Sequence, residues 1–204
     1  MNVYDFDETI YHGDSTVDFF KYCLLHHPAM AVTLPNTAFQ FGRYFAGRQS
    51  KTQTKEEMYK FLRCIGNTPQ VVEAFWKSHI SNIKPLYLEH LRQPDDVVIS
   101  ASPEFLVGPA CRMLGIPVMM ASKVDPYTGR YEGANCWGEE KVRRFYEHFG
   151  EGTPIDVFYS DSLSDTPLAR LAREAWIIRG DKLVPWDVWE HQHGKKKQWS
   201  ETRT

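Results

Sequence analysis

The chain has 204 residues, of which 42% are hydrophobic, so it is long enough to bury a sizeable core. Its net charge of −2 and its sequence pI of about 6.4 exclude a protein that binds nucleic acid through chain-wide positive charge. No apolar stretch is long enough to span a bilayer, and the four cysteines form no C-x-x-C pair that would indicate a zinc site.

Four short apolar runs that end in small or acidic residues predict strands buried on both faces of a sheet. They are NVYDFD, DVVISAS, IPVMMAS and DVFYSDS, and a fifth strand is predicted over residues 175–178. Helical patterns separate them: Ser102 is the predicted N-cap of one helix, Lys141 lies in the first turn of the next, and residues 166–167 open a third. Strands that alternate with helices predict an α/β fold with a Rossmann-like parallel sheet.

The stretch between the first two predicted strands is much longer than a parallel crossover requires. Residues 15–92 show amphipathic helical patterns without a strand pattern, which predicts a helical cap inserted after strand one. The sheet core is then predicted over residues 1–14 and 93–189, with DPYTGRYEG inside it as a turn or hairpin. Residues 190–204 are predicted to be a disordered polar tail, and its run of three lysines is too short to indicate nucleic-acid binding.

Four acids lie where predicted strands end, at the edge of the sheet where ligands of α/β proteins bind. Asp5 and Asp7 follow the first strand, and Asp161 follows the fourth with Asp165 close behind. Residues i and i+2 of an extended strand share a face, so Asp5 and Asp7 can address one ligand. Because clustered carboxylates repel one another, a cation is needed to hold them, and carboxylate ligands favour Mg²⁺.

A phosphate site is predicted beside these acids. Ser100, Ala101 and Ser102 end the second strand just before a helix, where the Ser100 hydroxyl and the backbone amides that follow it can bind an anion. Lys141 lies near a helix N-terminus, where positive charge is unfavourable, so its position fits a bound anion better than helix stability. Beside such a site one aspartate can attack phosphorus, and a second carboxylate two residues on can move the proton.

Four motifs in this order resemble those of the haloacid dehalogenase superfamily of phosphohydrolases. They are D-F-D-E-T at residues 5–9, the apolar run that ends in Ser100, Lys141 in G-E-E-K, and Y-S-D-S-L-S-D at residues 159–165. The resemblance covers the chain up to about residue 186. It implies a Mg²⁺-dependent phosphatase that hydrolyses a phosphomonoester through an aspartyl-phosphate intermediate.

The resemblance also implies a role for each matching residue. Asp5 is the implied nucleophile and Asp7 the implied general acid and base, whose backbone carbonyl also binds Mg²⁺. Ser100 and Lys141 are implied to hold the phosphoryl group. Asp161 is the implied ligand of Mg²⁺, and the Asp5 carboxylate is expected to bind the same ion.

The resemblance is to the phosphoserine-phosphatase-like subclass, whose helical cap follows the first motif. It implies that Asp165 supports the waters of the metal or Lys141, and that Asp14 contacts a substrate amine. Capping of the helix after Asp14 is the alternative interpretation. Ala101 and Ser102 stand where phosphoserine phosphatases carry Gly-Gly and are expected to contact substrate. The implied substrate is a small phosphorylated metabolite, such as phosphoserine or another phospho-amine.

Two other functions are weighed against this one. A phosphatidylglycerophosphatase-like lipid phosphatase at a membrane surface is an alternative. Residues 28–46 form the stretch nearest to a membrane span, and although its polar residues prevent it from crossing a bilayer, it could lie at a membrane surface. A non-enzymatic phosphoacceptor domain is disfavoured, because such domains lack a long helical insertion and phosphorylate an aspartate on an inner strand. Because acids interrupt the apolar run after Met1, no signal peptide is expected. Together with unpaired thiols this predicts a cytoplasmic protein, for which membrane association is not favoured. The oligomeric state is left open.

Overall fold

A computed structural model of the protein describes residues 1–194, in which strands alternate with helices. The strands are Asn2–Tyr4 (β1), Val97–Pro103 (β2), Val118–Ser122 (β3), Ile155–Ser160 (β4), Ala172–Arg179 (β5) and Lys182–Pro185 (β6). The α-helices are Ser15–His26 (α1), Leu34–Phe45 (α2), Lys51–Tyr59 (α3), Thr68–His79 (α4), Glu104–Leu114 (α5), Glu139–Phe149 (α6), Thr166–Ala169 (α7) and Trp186–His193 (α8). Shorter helical turns are Pro28–Thr33, Lys60–Cys64, Ile80–Asn82, Leu86–Leu91 and Leu163–Asp165.

The strands form one sheet in the order β3-β2-β1-β4-β5-β6. Strands β1 to β5 are parallel, and β6 pairs antiparallel with β5 at one edge. The chain runs outward from β1 in one direction and then returns to its other side with β4, so the strand order switches at β1. This confirms the predicted Rossmann-like α/β fold, and it differs from the 2-1-3-4-5 order of receiver-type phosphoacceptor domains.

The central strands are rich in apolar residues because both faces of the sheet are covered. Val3, Val97 and Ile99 are buried in a cluster on one face, whereas Tyr4 and Val98 are buried in a cluster on the other. Successive side chains of a strand point to opposite faces, so a continuous apolar run is what a doubly covered strand requires.

The segment between β1 and β2 contains helices and no strand, apart from isolated bridges that join Asp7 to Tyr11 and Tyr11 to Ile83, and it packs on the loop that follows β1. The indole of Trp76 lies edge-on to Phe6, with ring centroids 5.9 Å apart, and its Nε1 donates to the carbonyl of Leu106 at 2.7 Å. Helix α4 therefore connects the loop that follows β1 to helix α5. None of the helices in the described part of the chain is long and apolar enough to cross a membrane.

The predicted hairpin forms and contacts the helical segment. Val124 and Tyr131 pair antiparallel, and the Tyr131 amide donates to Oε1 of Glu56 in α3 at 3.0 Å. Gly129 has φ of +74°, and a Cβ there would lie 2.6 Å from the Tyr59 backbone. Only glycine permits both this backbone conformation and so close an approach.

Two predictions about helix starts and lengths are wrong. Ser102 does not cap a helix: β2 continues to Pro103, which is the N-cap of α5, and the Ser102 hydroxyl bonds side chains near β1 instead. The helix that opens at Thr166 ends at Ala169, and β5 begins at Ala172, earlier than predicted. Pairing of β5 with β4 and burial of Ile177 outweigh the helical propensity of this alanine-rich stretch.

The boundary of the predicted C-terminal tail also needs correction. Residues 190–193 belong to helix α8, which extends to His193. Trp186 anchors this helix in the core with 5% exposure, and Arg170 forms an ion pair with Glu190 at 2.5 Å. The three lysines and the rest of the predicted tail beyond residue 194 lie outside the described residues.

Candidate active site

Asp5 lies at the carboxyl end of β1, next to a buried lysine. Its amide donates to the carbonyl of Tyr159 at 2.9 Å, which continues the pairing with β4. Helix α6 brings the Lys141 ammonium to 3.0 Å from Oδ1 of Asp5 and 2.8 Å from Oδ2 of Asp165. The Ser160 hydroxyl also donates to Oδ2 of Asp165, at 2.8 Å. Lys141 is 1% exposed, so this ion pair is shielded from water.

The charges of this cluster do not balance. Burial, followed by the carboxylates of Asp165 and Asp161, raises the pKa of Asp5 to about 7, although Lys141 opposes the shift. Burial alone would lower the pKa of Lys141, but Asp165 and Asp5 hold it above its ordinary value. The cluster thus retains an excess of negative charge that one ammonium cannot neutralise.

Asp7 is held by two donors from outside β1. The Ser15 amide donates to Oδ1 at 2.7 Å, and the Ser102 hydroxyl donates to Oδ2 at 2.5 Å. Burial, and repulsion from Asp14, raise the pKa of Asp7 to about 6, although the bonds from Ser102 and Ser15 oppose the shift. Asp7 can therefore carry or release a proton close to neutral pH.

Sequence reasoning missed Lys84, which holds the turn after Asp7. Its ammonium is 2.5 Å from the carbonyl of Glu8 and 3.0 Å from that of Gly180, and the residue is 2% exposed. Glu8 has φ of +56°, a conformation that non-glycine residues rarely adopt. Burial lowers the pKa of Lys84. No local sequence signal marks it, because its partners lie 76 and 96 residues away.

The end of β2 lies beside Asp7, as its predicted role requires. The Ser100 hydroxyl is buried and accepts from the Ser102 amide at 3.1 Å, which leaves its own proton to donate. The Ala101 carbonyl accepts from the Ser122 hydroxyl at 3.1 Å and from the Lys55 ammonium at 3.4 Å. Lys55 belongs to α3, so the helical segment reaches this part of the site.

Asp14 caps helix α1. Its Oδ1 accepts from the amides of Thr16 and Val17 at 2.9 and 3.0 Å, which confirms the capping interpretation. It also lines a pocket of about 200 Å³ together with residues of helices α1, α2 and α3. The other residues that line this pocket are Thr16, Val17, Phe41, Tyr44, Thr54, Lys55 and Met58. A contact between Asp14 and a substrate amine stays a prediction.

The residues present fit a hard divalent cation. The predicted ligands are the carboxylates of Asp5 and Asp161 and the backbone carbonyl of Asp7, all of which are oxygen donors. Two of these three ligands are side chains; within residues 1–194 no group of three or more His, Cys, Asp and Glu side chains is arranged to hold a metal. Burial and the nearby Asp165 raise the pKa of Asp161, and Oδ1 of Asp165 is buried without a hydrogen-bond partner among these residues. A cation would relieve this repulsion.

Asp7→Asn is expected to gain stability relative to the wild type as the pH rises from about 5 to about 8 in EDTA. The pKa of Asp7 is raised to about 6 in the folded chain, so the folded state binds a proton here more tightly than the unfolded state does. This proton stabilises the wild-type fold at low pH, and the stabilisation is lost as the pH rises through about 6. The relative gain in free energy of unfolding is about 1 kcal/mol. Urea unfolding at several pH values measures it.

Asp125→Asn is the matched control for this titration. Hydrogen bonds from Thr128 hold the pKa of Asp125 below its ordinary value, so it stays ionised throughout the range. Its difference from the wild type should be constant with pH. A constant difference for Asp7→Asn as well would contradict the raised pKa.

Comparison with known proteins identifies the family. The profile of the haloacid dehalogenase-like hydrolases matches residues 3–170. A histidinol-phosphatase of Neisseria meningitidis is 27% identical over 159 residues, which cover 72% of this chain and 66% of that protein. The chain thus spans about two thirds of this relative's own length.

Two solved structures share the fold. A protein of unknown function from Bordetella pertussis has a TM-score of 0.71 at 24% identity, covering 86% of this chain and 87% of the other. A phosphoserine phosphohydrolase-like protein from Francisella tularensis has a TM-score of 0.55 at 15% identity, with 86% of each chain covered. The profile match over residues 3–170 contains all four motifs, and it confirms the predicted family. The chain belongs to the haloacid dehalogenase-like hydrolases.

Proposed function

We propose that the chain is a Mg²⁺-dependent phosphatase that hydrolyses phosphate monoesters through an aspartyl-phosphate on Asp5. One observation carries the proposal: the buried Lys141 ammonium lies 3.0 Å from Oδ1 of Asp5, two residues before Asp7. Burial raises the pKa of Asp7 to about 6, which agrees with a proton-transfer role beside that nucleophile. A nucleophile held by a cation, beside a carboxyl group that exchanges a proton near neutral pH, is suited to two-step phosphoryl transfer. Family membership supports hydrolytic chemistry.

In the first step, Oδ2 of Asp5 attacks phosphorus, since Lys141 binds the other oxygen of this carboxylate. The bond from phosphorus to the ester oxygen breaks as the bond to Asp5 forms. Protonated Asp7 gives its proton to the leaving oxygen, which departs as an alcohol. The bonds from Ser15 and Ser102 keep Asp7 in position for this transfer.

In the second step, the Asp7 carboxylate takes a proton from water, and the water oxygen attacks phosphorus. The bond from phosphorus to Asp5 breaks and returns its electron pair to the carboxylate. Inorganic phosphate leaves, and Asp7 is protonated again. The same group thus acts as acid and then as base, for which a pKa near the working pH is best suited.

The phosphoryl group would be held by the Lys141 ammonium and the Ser100 hydroxyl. Asp5, Asp161 and the carbonyl of Asp7 would hold Mg²⁺, with Asp165 supporting Lys141. When bound, Mg²⁺ neutralises phosphoryl oxygens and reduces their repulsion of the attacking carboxylate.

The proposed substrate is a phosphorylated amine with an aromatic or apolar body. The pocket of about 200 Å³ combines the carboxylate of Asp14 with the rings of Phe41 and Tyr44. A carboxylate can pair with an ammonium group, and aromatic rings can stack on a flat substrate. The relative named histidinol-phosphatase supports this class, because histidinol phosphate carries both an amine and an imidazole ring.

A phosphatase assay with Mg²⁺ or EDTA tests this proposal on p-nitrophenyl phosphate, histidinol phosphate and phosphoserine. We expect activity in the presence of Mg²⁺ and none in EDTA. We also expect kcat/KM to be at least about tenfold higher for histidinol phosphate than for phosphoserine, which has no ring to bury. Asp14→Asn should raise KM for histidinol phosphate about tenfold and leave p-nitrophenyl phosphate unaffected, because asparagine retains the helix cap but loses the charge. An equal effect on both substrates would contradict the amine contact.

A lipid phosphate monoester is the second candidate substrate. The observation that favours it is the exposure of Phe39 and Phe45, which are 63% and 81% exposed in the helix that lines the pocket. Phosphatidylglycerophosphate in mixed micelles therefore belongs in the same assay. Higher kcat/KM for this lipid than for every soluble ester would favour it over the amine.

A further inference from the structure

One part of the helical segment is unusually apolar on its surface. Residues 25–48, termed here the exposed segment, contain six of the thirteen exposed large hydrophobic side chains in the described part of the chain. They are Leu25, Val32, Phe39, Phe41, Tyr44 and Phe45. Leu25, Val32 and Phe45 are each at least 77% exposed. Side chains of this size scattered singly need no explanation, but a concentration of them indicates an interaction surface.

The charge around the exposed segment indicates which kind of partner it can bind. Residues 19–55 contain five lysines and arginines and no aspartate or glutamate, although the whole chain has 26 acids and a net charge of −2. Arg43 and Arg48 are exposed and form no ion pair with a carboxylate of residues 1–194. The exposed segment is therefore both apolar and cationic.

We infer that the exposed segment docks on an anionic phospholipid membrane. Exposed aromatic and aliphatic side chains can enter the boundary between headgroups and acyl chains, while the arginines contact the lipid phosphates. A second copy of the chain fits less well, because a two-fold contact would bring two acid-free, cationic surfaces together.

The position of the surface connects it to the candidate active site. Phe41 and Tyr44 belong to the exposed segment and also line the pocket that contains Asp14. Thr16 of that pocket contacts the Ser102 hydroxyl at 3.2 Å, and Ser102 donates to Asp7. A membrane on the exposed segment would thus lie on the side of the molecule where the pocket lies. Docking itself does not depend on the proposed reaction.

Sedimentation with vesicles tests the inference. Wild-type protein is mixed with vesicles of phosphatidylcholine alone or of phosphatidylcholine with phosphatidylglycerol. We expect it to sediment with the anionic vesicles, to remain in solution with the neutral ones, and to be released by about 0.5 M salt. Binding requires no hydrolysis, so this result is independent of the phosphatase assay.

Two variants separate the apolar from the electrostatic contribution. Phe39→Ser with Phe45→Ser should weaken binding to anionic vesicles at least about tenfold, since both rings lose their burial in the membrane. Arg43→Gln with Arg48→Gln should weaken it and reduce its dependence on salt. Met113→Ser with Tyr127→Ser, which removes side chains of 53% and 51% exposure elsewhere, is the matched control and should bind as the wild type does. Circular dichroism checks that each variant is folded.

Two results would overturn the inference. One is the absence of sedimentation with any vesicle. The other is a wild-type dimer in light scattering that the double phenylalanine variant converts to a monomer, without vesicle binding by either protein. The second result would assign the exposed segment to a contact between copies of the chain.

Discussion

Asp5→Asn is expected to lower kcat for p-nitrophenyl phosphate by at least about 10³-fold, because an amide cannot attack phosphorus. The variant should remain folded. Asn retains an oxygen to accept from Lys141, and the substitution removes a carboxyl whose pKa burial raises to about 7, so no favourable charge is lost at neutral pH. Thermal unfolding at about pH 8 should show a melting temperature no lower than that of the wild type.

The matched control for the nucleophile is Asp187→Asn, the same substitution at an exposed position of α8. It should leave kcat unchanged. More than about a tenth of wild-type activity in Asp5→Asn would contradict the role of Asp5. If wild type and variant were equally inert on every phosphate ester with Mg²⁺, the proposed activity itself would be wrong.

Asp7→Asn is expected to accumulate phosphorylated protein on p-nitrophenyl phosphate. Nitrophenolate is a good leaving group that needs no proton, so the first step should proceed, whereas water in the second step loses its general base. We expect the second step to slow by about 10²- to 10⁴-fold. Intact-protein mass spectrometry after rapid acid quenching detects the added phosphoryl group.

The structure explains why this variant should retain the geometry of the site. The Ser15 amide can still donate to the asparagine oxygen, and the Ser102 hydroxyl, which donates to Asp7 in the wild type, can accept from the new amide group. The double variant Asp5→Asn with Asp7→Asn should carry no phosphoryl group. Absence of an adduct in Asp7→Asn at every quench time would count against the role of Asp7.

The pocket and the exposed segment lead to different expectations about the substrate. Asp14 with aromatic rings favours a phosphorylated amine, whereas exposed phenylalanines next to the pocket favour a lipid. The kinetic assay and the sedimentation assay answer separate questions, because a protein can dock on a membrane and still act on a soluble ester. Their combination distinguishes a docked lipid phosphatase from a docked enzyme for soluble metabolites.

The order of the motifs along the chain was enough to predict the family and the parallel sheet. Each strand carries its apolar run and its terminal polar residue within a few positions, so a local pattern contains both signals. Topology then requires that the carboxyl ends of β1, β2 and β4 lie at one edge. The pairing of Lys141 with Asp5, 136 residues apart, follows from the sheet order and not from any spacing.

Other features could not be read from the sequence because they depend on which distant groups meet. Ser102 has the ordinary signature of a helix cap, yet the structure gives its hydroxyl a carboxylate partner 95 residues away. Residues 172–174 have good helical propensity but become strand because β4 offers them a pairing edge. Lys84 carries no local signal, and its two carbonyl partners are brought to it by the folded chain.

The sequence by itself thus determined the fold class, the family and the set of acids, serine and lysine expected to carry the chemistry. Only the tertiary structure decided which side chains bond them, how burial raises the pKa of Asp5 and Asp7, and which helical residues form the pocket and the exposed segment. The physical reason is that strand and helix patterns are encoded locally, whereas burial, charge balance and hydrogen-bond partners are properties of contacts between distant residues.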